Sequence, residues 1–250
     1  MLTEERIIKI KEIVDNNGSA TVTELMEQLG ASESTLRRDL KLMDDRGLIT
    51  RVHGGAVSRE GNSAIITIDR DILERKSTNP HEKDAIGRYA ASLIEPGDFV
   101  YIDSGTSTEV LAQYITEMNA VYVTNCVAIA KILGIKGMEV FLLGGEFKVT
   151  TEAIVGEEAV SNLEKYNFNK GFFGTNGIDI KRGFTTPEMR EGSVKREAML
   201  HTKKKYVLAD SSKFQVISSV NFSPFDDATI ITNGQIPSEF KSYSNVFIVK

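Results

Sequence analysis

The chain has 250 residues, of which 41% are hydrophobic and 26% are charged, and its formal net charge at pH 7 is −5. These values are typical of a globular protein with room for two domains, and no apolar run approaches the roughly 20 residues of a membrane-spanning helix. One cysteine excludes an internal disulfide framework, and with only three histidines it argues against a His/Cys metal site. We therefore expect a cytoplasmic protein that enters no membrane and holds no metal or cofactor.

Two short helices are predicted near the N-terminus. The first covers about residues 3–16, where isoleucine and valine recur at helical spacing, and the second covers residues 23–29, with Thr23 as its cap. The sequence Gly30-Ala31-Ser32 then forms a three-residue turn before a third helix. Two short helices joined by a turn that contains glycine form a helix-turn-helix unit, which presents its second helix to the major groove of DNA.

This third helix is expected to follow Ser32, which can cap it, and to bury Leu36 and Leu40. Its opposite face carries side chains of the types that reach phosphates and base edges, namely Ser34, Thr35, Arg37, Arg38 and Lys41. A solvated charged face is the alternative interpretation of this pattern. Asp39 is expected to orient an arginine or to act as a cap, because phosphate repels a carboxylate.

A strand is predicted over residues 48–52, followed by a tight turn and a short return strand. The turn region supplies the residues of a candidate wing: Arg51, His53, Gly54 and Gly55. Such a tip suits contact with the DNA backbone or the minor groove, and the alternative is a plain turn with His53 exposed to solvent. Because residues 1–57 carry more acidic than basic side chains, any DNA-binding surface must be a local patch.

A polar linker is expected over residues 58–79, in which Ile65, Ile66 and Ile68 are candidates for a short strand. Residues 80–250 then alternate between helix and strand patterns. The predicted helices cover about residues 82–94, 106–115, 127–133, 157–163 and 191–201. The predicted strands cover about residues 99–102, 121–124, 139–143, 171–174, 205–208, 228–232 and 245–249. The predicted fold class is α/β, with a winged helix-turn-helix at residues 1–57 and a mostly parallel sheet, covered on both faces, in the second domain.

Polar residues follow several of these strands, at the edge where open α/β sheets bind ligands. The stretch between the first strand and its helix has the most chemical meaning, with Asp103, Gly105, Thr106, Ser107 and Thr108. Glycine lets the backbone approach a ligand, and hydroxyls beside free N–H groups bind an anion such as phosphate. Ordinary helix caps are the alternative. Recurring polar strand ends favour a ligand site: Asn125, Gly144, Gly145, Asn176, Asp210 and Lys213.

One later helix offers candidates for acid/base chemistry, namely Glu188, Glu191 and Lys195. The alternative is a solvated helix face opposite Val194 and Ala198, and anion binding would also explain Lys195 without catalysis. Cys126 is expected to be a buried, unreactive thiol.

The segments SESTLRRDL and GLITRVHGGAV resemble the DNA-binding half of the DeoR family of bacterial repressors. Further likeness to the effector half of that family lies in DSGT at 103–106, TN at 124–125, LGG at 143–145, GFTTP at 183–187 and ADSSKF at 209–214. The resemblance implies that Ser34, Thr35, Arg37 and Arg38 enter the major groove. It also implies a second domain similar in fold to sugar-phosphate isomerases, such as ribose-5-phosphate isomerase and glucosamine-6-phosphate deaminase.

The resemblance further implies a phosphorylated sugar as inducer, with residues 105–108 holding the phosphate. The family commonly has threonine where Ser107 stands, and the hydroxyl is kept. Sugar hydroxyls or the phosphate would meet Asp103, Asn125, Lys195, Asp210 and Lys213. The sequences GFTTPE and VLADSSKF are similar to the branch that regulates fructose utilisation, which makes fructose 1-phosphate the candidate effector.

Together these patterns predict a transcriptional repressor of a sugar-utilisation operon, not an enzyme. Its partners would be an operator in double-stranded DNA, a phosphorylated sugar, and further copies of the chain in a dimer or tetramer that reads repeated half-sites. The main alternative is a sugar-phosphate isomerase or deaminase with an added N-terminal domain. An RNA-binding module is a weaker alternative, because residues 1–57 contain no Phe, Tyr or Trp for base stacking.

Overall fold

The computed structural model describes residues 3–52, 54–58, 67 and 72–249. The chain divides into two compact units, residues 1–65 and residues 66–250. None of the helices within the described ranges is long and apolar enough to cross a membrane. The isoleucines expected to form a strand, Ile65, Ile66 and Ile68, fall outside the described residues, as does His53.

The first unit is a small helical domain with a three-stranded antiparallel sheet. Its elements are α1 (Thr3–Asn17), β1 (Ser19–Thr21), α2 (Val22–Leu29), α3 (Glu33–Asp45), β2 (Ile49–Val52) and β3 (Gly55–Ser58). The sheet order is β1-β3-β2. Apolar side chains of all three helices and of β2 form one core, including Ile10, Leu25, Leu36 and Ile49. This arrangement is the predicted winged helix-turn-helix.

Local chemistry explains how α2 begins and ends. Thr21 accepts a hydrogen bond from the backbone N–H of Glu24, and the Glu24 carboxylate accepts one from the backbone N–H of Thr21. This capping box starts the helix two residues before the predicted cap, Thr23, so that expectation was wrong. Gly30 ends α2 in the left-handed conformation, with φ of 61°, which lets the chain turn sharply toward α3.

The second unit is a larger α/β domain. Its helices are α4 (Ile72–Ser77), α5 (Pro80–Ala91), α6 (Thr106–Tyr114), α7 (Val127–Ile135), α8 (Glu157–Leu163) and α9 (Met189–Leu200). The strands of its main sheet are β4 (Phe99–Ile102), β5 (Val121–Thr124), β6 (Glu139–Leu142), β9 (Phe168–Gly174), β12 (Thr202–Leu208), β14 (Thr229–Thr232) and β15 (Val246–Ile248). Two smaller sheets are built from β7 (Glu146–Lys148), β8 (Ala153–Val155), β10 (Gly177–Asp179), β11 (Gly183–Thr186) and β13 (Val220–Ser223).

The main sheet has the order β15-β14-β12-β9-β4-β5-β6, and all of its neighbouring strands are parallel. Side chains that alternate along each strand enter two cores. One core contains residues of α5, α6 and α7, with Val100 and Phe172 from the sheet. The other contains residues of α8 and α9, with Tyr101 and Phe173. The sheet is therefore covered on both faces, as the sequence predicted.

Three features of this domain were not predicted. The hairpin β7–β8 and the antiparallel sheet β10-β11-β13 are built from strands of three or four residues. Helix α4 lies within the range 58–79 that was expected to be a linker. Glycine or polar residues interrupt most of these segments, as in EFK, GID and GFTT, so they lack the continuous apolar run that identified the equally short strands of the main sheet.

Candidate functional site

Polar side chains converge at the carboxyl ends of β4, β9 and β12, three neighbouring strands of the main sheet. From β4 the chain runs outward through β5 and β6, and it later fills the other half of the sheet from β9 onward. The border between β4 and β9 is therefore a topological switch point, where open α/β sheets leave a crevice for ligands. A pocket lies at this border, lined by Arg75, Ser104, Gly105, Thr106, Ser107, Thr151, Gly174, Thr175, Asn176, Glu191, Lys195, Leu208 and Lys213.

The loop from β4 into α6 forms one wall of the pocket. Gly105 is the N-terminal cap of α6, and Thr106 and Ser107 in its first turn also line the pocket. The first amides of a helix have no partner within the helix, so this wall offers backbone donors and hydroxyls to an anion. Thr108 is not among the residues that line the pocket, and its hydroxyl donates to the backbone oxygen of Gly105 over 2.9 Å.

Lys195 projects from α9 into the pocket and is held from behind by Asp103. Its ammonium donates to the Asp103 carboxylate and, over 3.3 Å, to the backbone oxygen of Gly174. Asp103 is fully buried and also accepts from the backbone N–H of Gly174 over 2.9 Å. Burial raises the pKa of the Asp103 carboxyl, while the Lys195 ammonium opposes that shift. Asp103 therefore positions Lys195 and does not itself line the pocket.

Glu191 lies one helical turn before Lys195 and accepts hydrogen bonds from the hairpin β7–β8. Its Oε1 accepts from Lys148 over 2.9 Å and from the hydroxyl of Thr151 over 2.5 Å. Burial works to raise the pKa of Glu191, but Lys195, Lys148 and Thr151 outweigh it and hold the pKa below its usual value. Both Glu191 and Lys195 are 4% exposed, so the alternative of a solvated helix face was wrong.

Glu188, the third candidate for acid/base chemistry, is the N-terminal cap of α9. Its carboxylate accepts hydrogen bonds from the backbone N–H groups of Arg190 and Glu191, over 3.1 and 2.9 Å. A carboxylate placed there satisfies helix donors that would otherwise lack partners. Glu188 is not among the residues that line the pocket. Its position is explained by helix capping.

Arg75 and Lys213 add two cations to the pocket wall. Arg75 lies on the unpredicted helix α4, and Lys83 of α5 donates a 2.7 Å hydrogen bond to its backbone oxygen. Lys213 ends the short 3-10 turn Ser211–Lys213, which is capped by the Asp210 carboxylate. Asp210 is buried below this turn, where it accepts a hydrogen bond from the side-chain amide of Asn79 over 2.9 Å.

Three predicted effector residues at other strand ends lie outside the pocket. Asn125 follows β5 and supports the pocket loop from behind, since its Oδ1 accepts from the backbone N–H of Ser104 over 2.9 Å. Gly144 and Gly145 follow β6 at the edge of the sheet, and Gly145 packs on the backbone of Val155. Cys126 is buried, and burial raises its pKa to about 11, in agreement with the predicted unreactive thiol.

The first unit presents the candidate DNA contacts on α3. Ser34, Arg37, Arg38 and Lys41 are exposed, and Thr35 is half-buried. The Ser32 hydroxyl lies 2.9 Å from that of Thr35, and the structure shows no hydrogen bond from the Ser32 side chain to the helix backbone. Asp39 is buried and accepts two hydrogen bonds from the guanidinium of Arg6 on α1, so it orients an arginine as predicted.

The candidate wing is the turn between β2 and β3. Arg51 and Gly54 are exposed there, and Gly54 has φ of 78°, which favours glycine. Gly55 is buried against β1, where an added Cβ would lie 2.9 Å from the Cα of Thr21 and closer still to the oxygen of Ala20. Gly55 therefore belongs to the sheet that supports the wing and not to its exposed tip.

Comparison with known proteins agrees with both halves of this description. Residues 6–61 match the DeoR-like helix-turn-helix domain, and residues 78–234 match the DeoR C terminal sensor domain. The chain belongs to the DeoR family. The uncharacterized HTH-type transcriptional regulator FruR of Bacillus subtilis (strain 168) is 40% identical over 251 residues, which cover 100% of this chain and 98% of FruR.

A second DeoR-family relative is the lactose phosphotransferase system repressor of Streptococcus mutans serotype c. It is 35% identical over 235 residues, which cover 93% of this chain and 91% of the repressor. These relatives are transcription regulators, which confirms the predicted repressor over the alternative of an isomerase. Ribose 5-phosphate isomerase A from Methanocaldococcus jannaschii is similar at 11% identity, with a TM-score of 0.39 over 55% of each chain, and likeness at this level assigns no activity.

Proposed function

We propose that this DeoR-family regulator represses a sugar-utilisation operon and that a phosphorylated sugar bound in the sensor-domain pocket controls its affinity for the operator. The observation that carries the proposal is the convergence of Arg75, Lys195 and Lys213 on the N-terminus of α6. Three cations beside free helix amides suit a phosphate, and nearby polar groups suit sugar hydroxyls. The lactose repressor among the relatives supports a sugar-related effector.

In this proposal the phosphate group and the hydroxyl groups of the sugar contact different residues of the pocket. The phosphate accepts hydrogen bonds from the loop at Gly105, Thr106 and Ser107 and pairs with the cations. The hydroxyls meet Asn176, Thr151 and Glu191. Asp103, Asn125 and Asp210 support these groups from behind, and Thr108, Gly144 and Gly145 have no direct contact. Fructose 1-phosphate remains the candidate effector, supported by the likeness to FruR.

Operator recognition is assigned to the exposed side of α3 and to the wing. Ser34 and Thr35 sit at the N-terminal end of α3, the end that reaches base edges, while Arg37, Arg38 and Lys41 reach bases or phosphates. Arg51, Gly54 and His53 form the wing contact. Two or four copies of the chain would read repeated half-sites, and an effector with unequal affinity for two arrangements of those copies would change operator binding.

A thermal-shift panel of sugar phosphates on the full chain tests the sensor assignment. A ligand at about 100 times its Kd stabilises the folded state by about 2.7 kcal/mol, which for a domain of this size raises the Tm by about 5 to 10 °C. Lys213→Ala and Arg75→Ala should remove most of the shift. Lys241→Ala, which removes an exposed lysine outside the pocket, is the matched control and should leave it unchanged. A panel that moves no Tm would refute the effector assignment.

A gel-shift titration with an operator fragment links the two domains. Adding the sugar phosphate that raises the Tm should change operator affinity in the wild type and not in Lys213→Ala. If the ligand raises the Tm but leaves operator affinity constant, the pocket binds a sugar phosphate without controlling repression. That result would refute the proposed control of operator binding by the ligand.

A further inference from the structure

The pocket residue Lys213 lies at the end of a short turn, Ser211–Lys213, in which no residue is buried. Inside the turn, the backbone N–H of Lys213 donates to the backbone oxygen of Asp210 over 3.1 Å, and the Asp210 carboxylate accepts from the backbone N–H of Ser212 over 3.1 Å. A single turn without a buried side chain has little stability of its own. Its place beside the pocket therefore depends on contacts from other elements.

The first turn of α5 supplies such contacts. The Glu82 carboxylate accepts hydrogen bonds from both donors of Ser211, through Oε2 from the backbone N–H over 2.7 Å and through Oε1 from the hydroxyl over 2.9 Å. Hydrogen bonds to an ionised acceptor are strong, and two of them to one residue fix its orientation as well as its position. The side-chain amide of Asn79, the cap of α5, donates to Asp210 over 2.9 Å. The start of α5 is thus joined to the turn at two successive residues.

The position of the Glu82 side chain is itself restricted. Glu82 is the third residue of α5, from which a glutamate commonly bonds back to the helix cap. Here, within the described part of the chain, the hydrogen bonds found for its carboxylate end on Ser211. The loop after β14 lies close behind, since a Cβ added at Gly234 would be 2.6 Å from Cδ of Glu82 and closer still to Oε1. The backbone at Gly234 therefore leaves the carboxylate little room to turn away from Ser211.

Glu82 is not among the residues that line the pocket, whereas Lys213 is. A site binds tightly when its supporting residues fix the contacting groups before the ligand arrives, because a loose group must be ordered at the cost of affinity. We propose that Glu82 is a positioning residue of the sensor pocket, which holds Lys213 at the ligand through its two hydrogen bonds to Ser211. The inference rests on the proposed function, since it assumes that the pocket binds a phosphorylated sugar.

Isothermal titration on the full chain tests the inference, with fructose 1-phosphate, fructose 6-phosphate and glucose 6-phosphate as probes. Glu82→Ala should raise the Kd of the tightest probe by about tenfold, through loss of the charge-assisted bonds that fix the turn. Glu82→Gln should recover most of that affinity, because its amide group can accept from the Ser211 N–H and donate to the hydroxyl oxygen. Glu158→Ala is the matched control. Glu158 is exposed in the first turn of α8, outside the pocket, so its removal should leave the Kd unchanged.

A double-mutant cycle distinguishes the positioning of Lys213 from a general loosening of the domain. If Glu82 acts through Lys213, adding Glu82→Ala to Lys213→Ala should raise the Kd by less than about twofold, whereas independent effects multiply. The rise of Tm with ligand concentration gives those Kd values that are too weak for titration. Ser211→Ala removes only the hydroxyl donor and should raise the Kd by about threefold, so the inference stays testable if Glu82→Ala does not fold.

Three results would overturn the inference and leave the proposed function standing, since the wild type would still bind its ligand. The first is wild-type affinity in Glu82→Ala, or in Ser211→Ala if Glu82→Ala does not fold. The second is a loss of affinity that Glu82→Gln does not recover, and the third is a double variant in which the two effects multiply. If the wild type binds no sugar phosphate, the proposed function fails and the inference fails with it.

Discussion

Lys83 donates a 2.7 Å hydrogen bond to the backbone oxygen of Arg75, and a second hydrogen bond to the backbone oxygen of Thr78. These two carbonyls lie at the C-terminal end of α4 and just beyond it. Lys83 is 3% exposed and does not line the pocket. A buried residue outside the pocket therefore sets the position of a cation inside it.

Replacing Lys83 by methionine should weaken sugar-phosphate binding. Lys83→Met keeps most of the side-chain length but loses the donors that hold α4, so Arg75 loses its fixed position and affinity falls by about tenfold, the loss of one charge-assisted contact. Isothermal titration measures this change. Lys76→Met is the control, since Lys76 is an exposed residue of α4 that pairs with Glu109. Equal affinities in Lys83→Met and wild type would show that other contacts hold α4.

Lys83 should also make the stability of the sensor domain depend on pH. Burial lowers the pKa of folded Lys83 to about 8 from the value of 10.5 expected in the unfolded chain. Between these pH values the unfolded chain binds a proton that the folded chain lacks, so this group makes the free energy of unfolding rise with pH, by at most about 1.4 kcal/mol per pH unit. Denaturant unfolding of wild type and Lys83→Met from pH 7.5 to 10 measures the effect. The difference should move in favour of the wild type as pH rises, and a constant difference would contradict the shift.

Arg38 on α3 should be required for operator binding. Arg38→Ala removes an exposed cation from the candidate DNA-binding face, and operator affinity should fall about tenfold or more. If Arg38 meets a phosphate, the slope of log K against log salt also becomes shallower by about 1, and if it meets a base the loss depends on the operator sequence. Fluorescence anisotropy at several salt concentrations distinguishes these cases. Unchanged affinity in the double variant Arg37→Ala/Arg38→Ala, or a salt response that is flat in wild type, would refute the interface.

Gly55 should be needed for the wing to fold. Gly55→Ala places a methyl group against the backbone of β1, and it should destabilise the first unit by about 1 to 3 kcal/mol. Gly54→Ala is the comparison, because an added Cβ there has no neighbour within 4 Å among the described residues and the cost comes only from the φ of 78°. Calorimetry of the full chain measures the unfolding of the wild type and of the two variants. If Gly54→Ala costs more than Gly55→Ala, the packing of β3 on β1 does not control the stability of the wing.

Much of the fold could be predicted because its helices carry hydrophobic periods and the strands of its main sheet are apolar runs between turn residues. The turn at Gly30, the helix α3 and all seven strands of the main sheet were expected close to their observed bounds. The side chains of α3 were also expected to divide into a buried and an exposed face, and they do. These features depend on local spacing, which a single sequence displays directly.

Which residues line the pocket could not be predicted from residue spacing, because it depends on the order of the strands in the sheet. In the sequence, Asn125, Gly144 and Gly145 follow predicted strands just as Asn176 does. Only Asn176 lies beside the switch point between β4 and β9. The distance of the other three from the pocket follows from the order of strands in the sheet. Arg75 was missed because α4 has six residues, and Thr151 because it lies in a turn of a hairpin without an alternating pattern.

The pocket draws its lining from separate stretches of chain between Arg75 and Lys213. A ligand held by all of them opposes the opening of any one, so the loaded sensor domain exposes its backbone to proteases less often than the free domain. If the pocket binds the proposed sugar phosphate, proteases should cleave the purified sensor domain more slowly as the concentration of that ligand rises.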